Sequence, residues 1–489
     1  MTGRTRAVIL VVVALTALVL VGDAVVSLMS GAYLNLGSGV WLALARDTAD
    51  GVFYRPLWHG GEYGGTRYFP MLFVAAAALM RAGVPAVASG LTVSMLGLAG
   101  LSVAVAVLLR RLAVPSPLAA LGTALAIAPY FVHQTAFAVR CEPIAAAFAL
   151  FGLAAVVPMQ TRPESIRRII LAAALFVCAF MTKVTCVYGP AAAIGALLLA
   201  GRRTAALTLA SATVAGGLLF LAAIHVLSEG RAIESFRACA LAGSALSSLL
   251  SSAAVTRPLT LIGTSHLLTL VFALGVVALA ASRAAALRLP ALYFLATAGI
   301  TAVIFTSPGT ILTSQIVDAY VAAIVLLTAV TARHAGMFGR AGWAALLGLT
   351  VWAAGQNVVR INGMFRDNLA QSGAGDRRHL AEAVAGCGTG PFLSESPLVP
   401  ILGGQTPVVL DPFAFHVVAL NRPEVGHDLV ERVARREFAC VVLEQDPETA
   451  RGRAWYANVN LTGPVADAVL QHYTLDRTIA GERFYRAAQ

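Results

Sequence analysis

Carboxylates that can take a proton and cations that can hold an anion are scarce in the first 375 residues of this 489-residue chain, and their placement is uneven. Only ten acidic residues occur there, and three of them, Asp47, Asp50 and Glu62, share the stretch Ser30 to Pro70 with Arg46, Arg55 and Arg67. Solubility alone would not need that concentration. Further along, Arg140 and Glu142 stand in VRCEP and Lys183 in MTKVT; Glu229, Arg231 and Glu234 follow a long apolar run, and Asp318 lies near the start of another. An ionisable residue in or at the edge of a spanning helix is costly and is a functional hypothesis by default. Plainer readings stand beside it. Lys183 could snorkel to the interface, Asp47 and Asp50 could form the solvated face of a helix, and Arg140 and Glu142 are too close in sequence to pair on one helix and could be structural groups with partners elsewhere. Lys183 is the single lysine beside 34 arginines, which favours a chemical need for an ammonium.

The elements that must position these residues are apolar. The chain is 58% hydrophobic and only 12% charged, where a soluble domain carries roughly 25% charged residues. Apolar runs read as spans near 7–29, 87–109, 115–132, 143–159, 168–182, 186–200, 205–226, 258–281, 290–306, 314–332 and 341–357, about eleven transmembrane helices by length. The start resembles a signal peptide, but its apolar run extends to Met29, so an uncleaved first helix is expected. Alternate loops carry Arg4/Arg6, Arg110/Arg111, Arg162/Arg167/Arg168, Arg202/Arg203, Arg283/Arg288 and Arg333/Arg340, and the positive-inside rule makes them cytoplasmic together with the N-terminus. The 30–86 stretch, the other polar residues and the tail then face outward, at the outer face of the cytoplasmic membrane. One polar site at the outer leaflet fits this better than a path across the bilayer. Within 30–86, helical spacing predicts a surface-lying helix from about Ser38 to Thr48. Phe69 to Met80, short for a span, reads as a second interfacial helix.

After Arg360 the composition changes. Residues 1–360 are expected to form the membrane domain, 361–375 a linker, and 376–489 a small extracytoplasmic α/β domain. Its expected strands lie at 391–395, 407–410, 439–444 and 482–486, and its helices at 377–386, 397–402, 425–436 and 465–473. The net charge of +11 divides into −3 for the tail and +14 for the rest, so the excess orients loops and gives no reason to expect a nucleic-acid partner. Cys387 and Cys440 share the tail and could pair if it is extracytoplasmic. No cysteine shows metal-ligand spacing. Walker A, GxGxxG, HExxH and GxSxG contexts are all missing, which weakens ATP-driven, dinucleotide, zinc-protease and serine-hydrolase readings.

In their order and side these features resemble the GT-C superfamily of polytopic glycosyltransferases, which includes protein O-mannosyltransferases and the lipid A aminoarabinose transferase. The resemblance rests on the long outer loop ending in Tyr68-Phe69-Pro70, on Arg140-Cys141-Glu142 before a helix, on Thr182-Lys183 before a proline-containing span, and on a tail reading FLSESPLVPILGGQTPVVLDPFAF and then FACVVLE. It implies inverting transfer of a sugar from a polyprenyl-phosphate donor to a glycan, lipid or protein acceptor, among membrane lipids and without a nucleotide sugar. A carboxylate would take the acceptor proton and cations would hold the leaving lipid phosphate. Asp47, Asp50 and Glu142 are the candidate bases. Arg55, Arg67, Arg140 and Lys183 are the candidate phosphate partners, and Tyr54, Glu62, Tyr68 and Asp318 the candidate substrate-binding residues. No cofactor is fixed by the resemblance; metal use varies within the superfamily, so a divalent metal stays open and no metal-binding residue is assigned. One departure matters. The superfamily usually places its catalytic aspartate at the start of the first surface helix, about eight residues before an Ala-Arg step, where this chain has Gly37-Ser38 ahead of Ala45-Arg46. Either the role has moved, or the protein binds without transferring, as a lipid-linked-sugar transporter or flippase or a non-catalytic envelope-assembly protein would.

Overall fold

The computed structural model describes residues 3–31, 33–160, 165–240, 252–305, 313–334, 336–370, 373–388 and 390–488. A chain in lipid must satisfy its backbone internally, so the apolar runs become helices. Among the described residues seven are long and apolar enough to cross a membrane. An eighth span is made if Ser116–Ile127 and Tyr130–Phe137 count as one; they meet at 64°, and Pro129 at the break has no N–H to continue the ladder. The protein is thus a mostly helical, multi-pass membrane protein; among the described residues fewer helices reach that length than the eleven expected spans. Three of the expected spans fall below that length: Ile166–Thr182 and Val184–Leu199, which lie close to the expected 168–182 and 186–200, and His266–Ala281, the larger part of the expected 258–281. The first two are separated by Lys183, whose backbone is extended (φ −150°, ψ 115°). The third is cut from Ala253–Gly263 before Ser265, which caps it by accepting a hydrogen bond from Leu268 N.

Ser314–Arg333 runs through the middle of the bundle. Of its most apolar 18-residue window 89% is buried, against 17% for the Thr5–Ser30 and Arg203–Leu227 spans at the periphery. Its Val317–Arg333 part, VDAYVAAIVLLTAVTAR, is apolar on every side and rich in small residues, which lets neighbouring helices approach from all directions. Peripheral spans instead leave Leu18, Leu219 and Val226 exposed, at 68%, 73% and 74%, as lipid-facing positions should be.

At one end of the bundle, the 30–86 stretch folds into helices Leu36–Ala49 and Met71–Arg81 joined by an irregular loop. Asn35 starts the first with a capping box, its Oδ1 accepting from Ser38 N (3.2 Å) while Ser38 Oγ accepts from Asn35 N (3.1 Å). Gly39, one residue on, is in contact with the C-terminal part of the chain: a Cβ there would stand 2.1 Å from Leu398 N, so only glycine fits.

The C-terminal part holds a four-stranded mixed sheet in the order β1-β2-β4-β3, where β1 is Phe392–Ser394, β2 Cys440–Leu443, β3 Tyr473–Ile479 and β4 Glu482–Ala487. β1 and β2 are parallel, the other pairs antiparallel. Helices Pro412–Asn421, Pro423–Ala434, Ala450–Asn458 and Gly463–His472 connect them. The strand expected at 407–410 is instead a single parallel bridge from Val409 to Tyr63, which fixes the 30–86 loop to this unit. Leu57 and Tyr63 of the loop join the unit's own core beside Phe415, Val418 and Leu429. Cys387 and Cys440 form a disulfide.

Candidate active site

The ionisable residues of the 30–86 loop divide into two sets. Asp47 and Arg55 face each other with side chains only 7% and 4% exposed, Arg55 Nε at 2.6 Å from Asp47 Oδ2 and Nη2 at 2.7 Å from Oδ1. Burial pushes the Asp47 carboxyl up from its ordinary value, and Arg55 opposes that. Arg55 also donates to Pro407 O (2.7 Å), and Arg46 donates to Gly404 O (2.7 Å), so the two arginines clasp the chain just before Val409. Glu62 stands at 3.8 Å from Arg55 with its side chain 59% exposed, and Asp50 is exposed beside Arg46. Tyr54 is buried with φ +60° and donates to Tyr68 O (2.9 Å), while its ring meets Phe73 and Phe236 edge-on. These groups hold the loop together.

The second set lies beneath it. Arg67, near the end of the loop, is exposed to solvent. Its guanidinium covers the Phe413 ring at 4.0 Å and flanks the Tyr68 ring at 5.8 Å. Tyr68 stacks on Trp41 (4.3 Å between centroids) and lies in the fields of Arg67, Asp411 and Arg140. Arg140 follows Val139, a β-branched residue held at φ +48°, and donates to Asn35 Oδ1 (3.3 Å). Its guanidinium sits against Gly37, where a Cβ would meet Nη2 at 2.6 Å. The place where a residue-37 side chain would project is therefore occupied by an arginine. Cys141 feels both Arg140 and Lys183, and Glu142, 3% exposed, opens the Glu142–Val156 helix within the field of Lys183. Lys183 Nζ is 2.9 Å from Asp318 Oδ2 at the start of the central helix. The result is a string of neighbouring groups, Arg67, Tyr68, Arg140, Glu142, Lys183 and Asp318, three cations, two carboxylates and a phenol, closed at its far end by the Lys183–Asp318 pair.

Sequence reasoning does not single out two other features as sites. Asp411 belongs to the string: it is 2% exposed, caps the Pro412–Asn421 helix, and lies in the field of Arg67. It was hidden in an apolar segment of the tail. Asp23, fully buried in the first helix, pairs with Arg360 (2.6 Å) and lies 3.5 Å from His133. Its signal was present, an acid within an apolar span. Among the described residues no group of three or more His, Cys, Asp or Glu side chains is gathered as metal ligands.

No protein-family model and no curated protein matches the chain. Solved structures do match, and the likeness is one of fold. ArnT from Cupriavidus metallidurans, bound to undecaprenyl phosphate, is similar with a TM-score of 0.61 over 96% of this chain and 98% of that one, at 12% identity. The oligosaccharyltransferase of Archaeoglobus fulgidus gives a TM-score of 0.56 in its apo form, over 97% of this chain and 74% of that one at 12% identity. The same enzyme, AglB, in complex with an inhibitory peptide and a dolichol-phosphate gives 0.53, over 96% and 74% at 11% identity.

Proposed function

We propose that this protein is an inverting glycosyltransferase that moves a sugar from a polyprenyl-phosphate donor to an envelope lipid, glycan or protein at the outer face of the cytoplasmic membrane. The observation that carries the reading is the string of Arg67, Arg140, Glu142 and Lys183 at the foot of the outer loop, in a fold whose solved neighbours hold undecaprenyl phosphate or dolichol-phosphate. Arg67, Arg140 and Lys183 hold the donor phosphate. The acceptor oxygen attacks the anomeric carbon, the bond from that carbon to the phosphate oxygen breaks, and the lipid phosphate leaves with its charge met by the cations. The acceptor proton passes to a carboxylate. Of the three candidates Glu142 has this role, because Asp47 is occupied by Arg55 and Asp50 stands exposed beside Arg46. Tyr68 and Asp318 line the site, while Tyr54, Arg55 and Glu62 act through the loop.

The N-terminus is cytoplasmic on this reading, and the C-terminal unit, bounded at about residue 376, is extracytoplasmic. The arginine-rich loops support that orientation, as does the Cys387–Cys440 disulfide, which suits an oxidising compartment. A non-catalytic assembly role is favoured by one observation, the glycine at position 37 with Arg140 seated on it. Incubating membranes that contain the protein with radiolabelled polyprenyl-phosphate sugars decides between the two. Label should move to an endogenous acceptor with wild type and not with Lys183→Ala at matched expression. Donor binding without any movement of label, across a panel of donors and acceptors, would favour the assembly role.

A further inference from the structure

Tyr63 and Val409 are joined in a parallel bridge, Tyr63 N donating to Val408 O and Leu410 N to Tyr63 O, both at 2.9 Å. Two chains leaving a parallel bridge run the same way. Arg67 follows four residues after Tyr63, and Asp411 two residues after Val409, so the bridge delivers a cation from the outer loop and a carboxylate from the C-terminal unit to one place. The Phe413 ring under the Arg67 guanidinium confirms the juxtaposition at 4.0 Å.

The Asp411 carboxylate is only half used. Oδ1 accepts from Phe413 N (3.1 Å) and Ala414 N (3.2 Å), which caps the helix. Oδ2 is buried and, among the described residues, has no hydrogen-bond partner, Arg67 included, although Arg67 lies in its field. A buried carboxylate oxygen left open beside an arginine that does not take it is an acceptor kept for something else. Hydroxyl groups fit it, since each donates one hydrogen bond to a carboxylate oxygen and brings no charge.

We propose that Asp411 Oδ2, with Arg67 beside it, forms a subsite for the hydroxyls of the donor's glycosyl unit, supplied by the C-terminal unit to the site of the membrane bundle. This rests on the transferase reading, in which Arg67 holds the donor phosphate. The sugar is bonded to that phosphate, so it lies within a few ångströms of Arg67 and thus of Asp411. The acceptor enters from elsewhere. The C-terminal unit is then a part of sugar recognition, and the loop clasp at Arg46, Arg55 and Tyr63 is what keeps Asp411 in register.

The test compares full-length protein in detergent binding bare undecaprenyl phosphate and its mannose, glucose, galactose and arabinose esters. Wild type should bind one ester at least about tenfold more tightly than the bare lipid. Asp411→Asn and Asp411→Ser keep a helix-capping oxygen and should erase that preference, while bare-lipid affinity, which also reports a folded site, stays within about twofold. A preference that persists in both variants overturns the proposal. Wild type binding the bare lipid and every ester equally also overturns it but leaves the transferase reading standing. Failure of wild type to bind any of these lipids overturns both.

Discussion

Replacing Asp47 by alanine leaves the Arg55 guanidinium, whose side chain is 4% exposed, with Pro407 O as its remaining close partner and the solvated Glu62 at 3.8 Å. Removing one partner of a buried ion pair costs about 3–5 kcal/mol, most of it from the charge left behind. Removing both with groups of similar volume, as in Asp47→Leu with Arg55→Met, abolishes that penalty, so the double variant should recover at least about 2 kcal/mol relative to the sum of the singles. The clasp joins the 30–86 loop to residues 404–409, so its loss should appear as local opening there. Amide hydrogen exchange of 404–410 in the purified protein reads it directly. A loss of 3 kcal/mol accelerates exchange about 100-fold in the single variant, and the double should exchange at least about 30-fold more slowly than the combined accelerations of the two singles would give. Additivity within about 0.5 kcal/mol would refute the claim that Asp47 and Arg55 act as one structural pair.

Three further outcomes are expected. Cys387 and Cys440 close a loop with a sequence separation of 53, so Cys387→Ser with Cys440→Ser should cost the C-terminal unit up to about 4 kcal/mol by the chain-entropy relation, seen as earlier protease cutting of 390–488. Burial pushes the Glu482 carboxyl up to about 8 and that of Glu444 to about 7, and in Glu482 one oxygen has no partner among the described residues. The folded unit therefore keeps protons that the unfolded chain releases near pH 4.5. Its stability should fall as pH rises from about 4.5 to about 8, by on the order of 1–3 kcal/mol, and Glu482→Gln should flatten that slope in thermal unfolding. Gly39→Val should loosen the contact with Leu398 and raise hydrogen exchange at 397–402, whereas Gly217→Val, with open space around it, should not.

Much of the architecture is legible in the apolar runs, since lipid permits little but helices. Where runs break, the sequence is uneven: Lys183 separates two helices where the apolar runs already part, whereas Ser265 stops a helix that hydropathy alone would continue. In the tail, β1, β2 and β4 are foreshadowed by short apolar runs, but Pro412–Asn421 is buried on most sides and shows no period, and β3 is largely exposed and polar. The gathering of Arg140, Glu142, Lys183 and Asp318 follows from their common position at one end of their helices, which the charge pattern already suggests. The partners within the loop do not follow. Asp47 and Arg55 are eight residues apart and meet only because the chain turns between them, and Asp411 reaches Arg67 through a bridge between segments 346 residues apart, Tyr63 and Val409. Long-range pairing of that kind leaves no local periodicity to read.

The measurement that bears most directly on the transferase account is single-turnover transfer from a bound polyprenyl-phosphate sugar by wild type and Glu142→Gln, with donor affinity determined on the same samples. The account predicts that Glu142→Gln binds donor within a few-fold of wild type and transfers at least about 100-fold more slowly. Transfer by Glu142→Gln at the wild-type rate would contradict the role given to this carboxylate, and an absence of transfer by wild type with every donor tried would contradict the reaction itself.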